Sequence, residues 1–157
     1  MRVQDVMTKE TSFCGPDTSL AVAAECMWKN GVGFLPVVGE GGNVIGVITD
    51  RDISIALGTG RRRPSAWPVK NVMVPKLFTC TPDEDIHCAL KTLRAQRIRR
   101  LPVIDREGAL LGVFSIDDLA VKARDTPSKD DVSYKDVIDT YQPIRGRVAS
   151  SGRCAAA

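Results

Sequence analysis

Aromatic residues make up only 5% of the chain, so its core must be built mainly from Val, Ile, Leu and Ala. Long apolar runs are missing as well. No stretch approaches the ~20 apolar residues that a membrane-spanning helix requires. The opening MRVQDVMTKE holds no apolar segment of the kind a secretory signal needs. The expected location is the cytoplasm, with no membrane partner. Histidine occurs once, as His87, and none of the five cysteines (Cys14, Cys26, Cys80, Cys88, Cys154) forms a C-x-x-C pair. An odd count in a chain of 157 residues does not suggest a disulfide framework. The spacing gives a Cys/His zinc site no support, and no metal is expected. The chain also lacks a Gly-rich phosphate loop of the P-loop type and any Ser-His-Asp arrangement around its His. No catalytic role is expected.

What is present is a duplication. The length fits one compact domain or two very small ones, and 43% apolar with 26% charged residues is ordinary for a globular chain. Sliding the sequence against itself by 66 residues aligns Val3–Ile53 with its downstream copy without a gap. The identities include Val3/Val69, Met7/Met73, Cys14/Cys80, Pro16/Pro82, Asp17/Asp83, Pro36/Pro102, Gly46/Gly112 and Asp52/Asp118. Two copies make a pair rather than a solenoid. Neither copy alone has enough apolar surface for a stable core.

Each copy reads the same way. GPDTSLAVAAECMWKNG predicts a helix capped by Asp17, with Leu20, Ala23, Ala24 and Met27 on one face and Gly31 as its stop. FLPVV and VIGVIT, joined by the turn GEGGN, predict a hairpin of buried strands, and DRDISIAL returns to helical spacing. Copy two gives a helix over 84–95, strands LPVI and LLGVFS, and a helix from Asp117. GTGRRRPSAWP reads as the connection. Beyond Arg124, KDDVSYKDVIDTYQ suggests a polar helix and PIRGRVASSGRCAAA a loose tail. The expected division is repeat one at 1–60, linker at 61–68, repeat two at 69–124 and a polar, partly disordered extension at 125–157.

Both copies end their second strand in a hydroxyl followed three residues later by a carboxylate: Thr49 with Asp52, and Ser115 with Asp118. One reading is helix capping, since a hydroxyl bonds a free N–H and an acidic first turn suits the macrodipole. The other is anion and diol recognition at the same helix start. Copy two adds Arg97, Arg99 and Arg100 before its strand, and guanidinium groups match phosphate geometry. A solvated basic surface is the alternative.

The order DVMT, PDTSL, FLPVV, GVITDRDI and its counterpart NVMV, PDEDI, RIRRLPVID, GVFSIDD strongly resembles a tandem cystathionine β-synthase (CBS) domain pair, over residues 1–124. The resemblance implies an α/β (α+β) fold of two β-α-β-β-α repeats packed through their sheets about a pseudo-twofold axis. It implies a disc-shaped homodimer of two such pairs. It also implies a regulatory, energy-sensing role through adenosine-containing ligands such as AMP, ADP, ATP or S-adenosylmethionine, with no required cofactor. Each family cleft draws on both copies. Carried over, cleft A combines Thr49 and Asp52 with Ile98, Arg99, Arg100 and Pro102, with Leu77 and Phe78 near its base. Cleft B combines Ser115 and Asp118 with Val32, Gly33, Phe34 and Pro36. A hydrogen bond to a charged group contributes ~1.5–3 kcal/mol, so cleft A, with two guanidinium groups, is the favoured nucleotide site. Cleft B is expected to stay empty or to accept an uncharged adenosine-like group.

The expected function is a stand-alone module that binds an adenine nucleotide and signals through a partner protein. The alternative is a structural or redox- or metal-responsive pair that binds no nucleotide and uses Cys14 and Cys80. A disulfide between those two demands close approach of their strands; otherwise both are small buried residues. Arg61, Arg62 and Arg63 read as solvated linker, because nucleic-acid binding wants a larger basic face and more aromatics than Trp67. His87 reads as structural. Apolar residues on DISIAL and DLAVKA suit either a homodimer or ordinary core packing.

Overall fold

The computed structural model describes residues 1–125 and 131–146. Copy one runs α1 (Leu20–Asn30), β1 (Phe34–Val38), β2 (Val44–Thr49) and α2 (Asp50–Thr59). Copy two repeats it as α3 (Ile86–Gln96), β3 (Arg100–Ile104), β4 (Leu110–Ser115) and α4 (Ile116–Lys122), followed by α5 (Tyr134–Arg145). β1 pairs with β2 and β3 with β4, both antiparallel. The mixed α/β class expected from the repeat is the class observed.

The opening β of each repeat is reduced to one residue. Cys14 bridges Val37 in parallel fashion and Cys80 bridges Val103. The first helix begins later than Asp17 suggests: Ser19 is its cap, accepting from the Val22 N–H at 3.3 Å. Asp17 instead forms an ion pair with Lys70 at 2.6 Å. The reason is burial, because Leu20 must start the helix to reach the core, where it is fully enclosed. Asp85 caps the equivalent α3, ahead of Ile86. Gly31 ends α1 in the left-handed region at φ 63°, as its lack of a Cβ permits. Its counterpart Arg97 takes φ 54° without that freedom.

The two copies exchange their leading segments. Val3 and Val6 pack into the core of copy two, with Leu90, Leu93, Leu101 and Phe114. Val69, Val72 and Met73 pack into the core of copy one, with Leu20, Leu35 and Ile48. Backbone bridges hold each exchange: Thr8 pairs with Val113 at 2.9 Å both ways, and Val74 pairs with Val47 at 2.8 and 3.1 Å. Adding 66 to Thr8 and subtracting it from Val113 turns one bridge into the other. Asn43 and Ala109, themselves 66 apart, bridge each other between the two hairpin turns, marking the pseudo-twofold axis. Packing units therefore do not follow the repeat boundaries near residues 60 and 69.

Beyond Arg124 the expected polar helix is α5, which starts and ends later than expected and is less polar in its role than its sequence suggests. Ser133 and Asp136 form a capping box at its start. Val137 and Thr140 are buried against α3 and α4, and Arg94 Nε donates to Thr140 Oγ1 at 2.9 Å. The helix continues through Pro143 and Ile144, the beginning of the expected tail. The remainder of that tail, 147–157, lies outside the described residues.

Close approach at the exchanged strands depends on two glycines. A Cβ at Gly112 would lie 2.4 Å from the Thr8 carbonyl oxygen, and one at Gly46 2.9 Å from that of Val74. Gly112→Ala is expected to lower the free energy of urea unfolding by about 1–3 kcal/mol, and Gly46→Ala by less. Unchanged midpoints would show that the exchanged segments do not hold the copies together.

Candidate functional site

At each β-to-α turn the hydroxyl and carboxylate bond each other. Asp52 N–H donates to Thr49 Oγ1 at 3.2 Å, while Thr49 N–H and Oγ1–H donate to Asp52 Oδ2 at 3.0 and 2.7 Å. In copy two Asp118 N–H donates to Ser115 Oγ at 3.1 Å, and that hydroxyl donates to Asp118 Oδ2 at 2.7 Å. The capping reading is thus realised at both turns, helped by Asp50 and Asp117 in the same first turns. Both sets of bonds fall on Oδ2. Among the described residues, Oδ1 of Asp52 and Oδ1 of Asp118 accept no hydrogen bond, so each half-buried carboxylate retains an acceptor. Capping and ligand acceptance are compatible here.

The strand register sets what lies beside each turn. Phe34 opposes Thr49 and Arg100 opposes Ser115. Asp50 N–H donates to the Gly33 carbonyl at 3.2 Å, and Ile116 N–H to that of Arg99 at 3.0 Å. Gly33 and Phe34 therefore adjoin Thr49, whereas Arg99 and Arg100 adjoin Ser115. Among the described residues no hydrogen bond or ion pair joins Thr49 or Asp52 to Ile98, Arg99, Arg100 or Pro102. None joins Ser115 or Asp118 to Val32, Gly33, Phe34 or Pro36. Pro36 and Pro102 are buried within their strands, Ile98 packs on the core of copy two, and Val32 is exposed.

Both arginines have partners that sequence reasoning missed. Arg100 Nη2 donates to Asp117 Oδ2 at 2.8 Å, with its side chain 28% exposed. The nearby guanidinium of Arg145, and then that of Arg99, hold the Tyr141 phenol below its ordinary pKa. The Arg145 guanidinium also stands 5.7 Å from the Tyr141 ring centre. Asp117 was overlooked because it sits beside the motif carboxylate Asp118. Tyr141 lies outside the repeat, where no offset could point to it.

Two segments cross between the sheets. Residues 75–79 run from the Val74 bridge on β2 to the Cys80 bridge on β3. Leu77 and Phe78 lie on this crossing, half-buried, and Lys76 Nζ stands 5.2 Å from the Phe78 ring centre. Residues 9–13 make the symmetry-related crossing from β4 to β1. There the equivalents of Leu77 and Phe78 are Thr11 and Ser12, which the offset of 66 could have identified.

The cysteines are separated by the fold. Cys14 lies in the core of copy one and Cys80 in that of copy two, which rules out the close approach a disulfide between them requires. Burial first, and then Cys26, pushes the Cys14 thiol up to about 11. Burial and then Glu84 push Cys80 up to about 12. Both stay protonated and unreactive near neutral pH. Among the described residues no group of three or more His, Cys, Asp or Glu is placed to hold a metal ion, and no helix is long and apolar enough to cross a membrane. His87 is half-buried, and its backbone N–H serves the α3 cap through Asp85. A thiol reagent such as Ellman's is expected to modify exposed Cys88 in the native protein and Cys14 and Cys80 only after unfolding. Rapid native labelling of either core cysteine would contradict this placement.

Comparison with known proteins agrees with this architecture. The sequence profile of the CBS domain matches residues 3–58 and 69–124. The CBS domain-containing protein YhcV of Bacillus subtilis strain 168 is 35% identical over 119 residues, 76% of this chain and 83% of that protein. Several larger relatives carry enzyme names, among them homoserine O-acetyltransferases, but the chain spans only 23% of their length. A solved CBS domain pair in complex with 5′-methylthioadenosine and S-adenosyl-L-methionine superimposes with a TM-score of 0.70 at 24% identity, covering 77% of this chain and 94% of that one. A CBS domain protein of Pyrobaculum aerophilum complexed with AMP does so with a TM-score of 0.68 at 24% identity, covering 76% and 90%. At these identities the two structures establish the fold.

Proposed function

Because the chain belongs to the CBS domain family, with two CBS domains in tandem, we propose that it is a regulatory module that binds an adenine nucleotide in cleft A. It acts as a homodimer in the cytoplasm and signals through a partner protein rather than by catalysis. The observation that carries this reading is the unused Oδ1 of Asp52, beside a capped helix start. A ribose hydroxyl donates to that oxygen, and the Thr49 cap holds the carboxylate in place. In this reading Arg99 and Arg100, which adjoin the Ser115 turn, are assigned to the phosphate from copy two, Ile98 and Pro102 to the wall, and Leu77 and Phe78 of the 75–79 crossing to the base.

Phosphate binding has an internal competitor. Arg100 must share or exchange the Asp117 carboxylate, and Arg99 the Tyr141 hydroxyl. Ligand charge therefore matters, which favours AMP, ADP or ATP over S-adenosylmethionine. Cleft B, formed by Ser115, Asp118, Val32, Gly33, Phe34 and Pro36, offers Gly and Phe where cleft A offers two guanidinium groups. It binds a phosphorylated ligand more weakly. The AMP and S-adenosylmethionine complexes of the two solved relatives support the ligand class.

Thermal melting against AMP, ADP, ATP, S-adenosylmethionine and NADH tests this. A nucleotide at ~100 times its dissociation constant adds about 2.7 kcal/mol of stability, a shift of several degrees. Arg99→Ala is expected to remove most of the shift and leave the unliganded midpoint in place. Asp52→Ala should remove it too, but lower the unliganded stability by about 1 kcal/mol because the carboxylate half of the α2 capping box is lost. A flat panel contradicts nucleotide binding. An undiminished shift in both variants contradicts cleft A.

A further inference from the structure

Helix α5 belongs to neither repeat, yet its last turn ends beside residues of the proposed site. Thr140 is buried against α3, where Arg94 Nε reaches it at 2.9 Å. Tyr141 and Ile144 pack on the core of copy two, as Ile98 does. Pro143 has no N–H to give the helix, so this end of α5 depends on that packing. It places Arg145, in the last turn, with its guanidinium 5.7 Å from the Tyr141 ring centre. Arg99, on the segment that enters β3, brings a second guanidinium near the same phenol.

The charges at this edge do not balance. Arg100 has a carboxylate partner in Asp117, at 2.8 Å. Among the described residues Arg99 and Arg145 form no ion pair, and both are exposed. Residues 147–157 add two arginines to the sequence, Arg147 and Arg153, and no Asp or Glu. A cation in the last turn of a helix suits the macrodipole, and a guanidinium suits the face of a phenol. Those preferences account for Arg145 alone. They do not account for a second guanidinium near the same phenol, because the two like charges repel. An anion held by both reverses the sign of that interaction, and guanidinium groups match phosphate oxygens. Copy one lacks this device. Gly33 stands 66 residues before Arg99, and no described helix of copy one corresponds to α5.

We propose that α5 completes the phosphate end of cleft A. Arg99 and Arg100 hold the phosphate next to the ribose, and Arg145 with the Tyr141 hydroxyl holds the one beyond it. Cleft A then selects an adenine nucleotide with two or more phosphates over AMP. It does so through residues outside both CBS domains, which end at residue 124. This inference rests on the assignment of the nucleotide to cleft A.

Isothermal titration of the full chain with AMP, ADP and inorganic pyrophosphate tests it, in the wild type, Arg145→Gln and Arg145→Lys. The wild type is expected to bind ADP about three- to tenfold more tightly than AMP, and pyrophosphate more weakly than either. Arg145→Gln should bring ADP down to the level of AMP. Its AMP affinity and melting midpoint should stay unchanged, since the side chain is exposed. Arg145→Lys should restore part of the preference. Equal affinities for AMP and ADP in the wild type, or a preference that survives Arg145→Gln, overturn the inference and leave nucleotide binding intact. Pyrophosphate bound as tightly as ADP places the anion at α5 without a nucleotide and overturns the link to cleft A. Binding of none of the three overturns the proposed function, and the inference with it.

Discussion

The reciprocal pairing of Thr8 with Val113 and of Val74 with Val47 is the contact on which the rest of the structure depends. Each bridge carries a buried valine, Val3 or Val69, into the core of the other copy. Two hairpins of five- and six-residue strands are marginal alone. Exchange of leading segments makes each core incomplete without the other copy, and so joins the repeats into one unit. It also creates the crossings at 9–13 and 75–79, which place chain between the sheets.

The same few atoms serve local structure and the proposed site. Thr49 and Asp52 close the start of α2, and the capping bonds fix one carboxylate oxygen while leaving the other free. A helix start is a favourable setting for an anion because its N–H groups are unpaired, but here capping has already engaged some of them. The proposed site therefore relies more on the free carboxylate oxygen and the arginines than on the helix dipole. The asymmetry between the copies is confined to what surrounds this shared frame. Gly33 and Phe34 stand in copy one where Arg99 and Arg100 stand in copy two, and only copy two is covered by α5.

Much of the local structure was legible in the sequence. Strands β1, β2 and β4 span FLPVV, VIGVIT and LLGVFS, because apolar runs bounded by Gly-containing turns allow little else. The start of α1 was misread because Asp17 and Ser19 are both competent caps, and only the burial of Leu20 decides between them. The exchange of leading segments was not legible, since apolar periodicity says that Val3 is buried but not in which copy. The burial of α5 was hidden for a similar reason: Val137, Thr140 and Ile144 are sparse among charges until α3 and α4 supply the surface they meet. The paired turns were legible from the repeat, and the arginines as a departure from it in copy two. Their present partners, Asp117 and Tyr141, were not, because neither lies where the repeat or the motif directs attention.

The central claim is that a near-symmetric frame carries one equipped nucleotide site. Isothermal titration of the purified chain with AMP measures this directly through its stoichiometry. The account predicts one tight site per chain, with any second site much weaker. No measurable heat at any attainable concentration, or two sites of equal affinity, would contradict it.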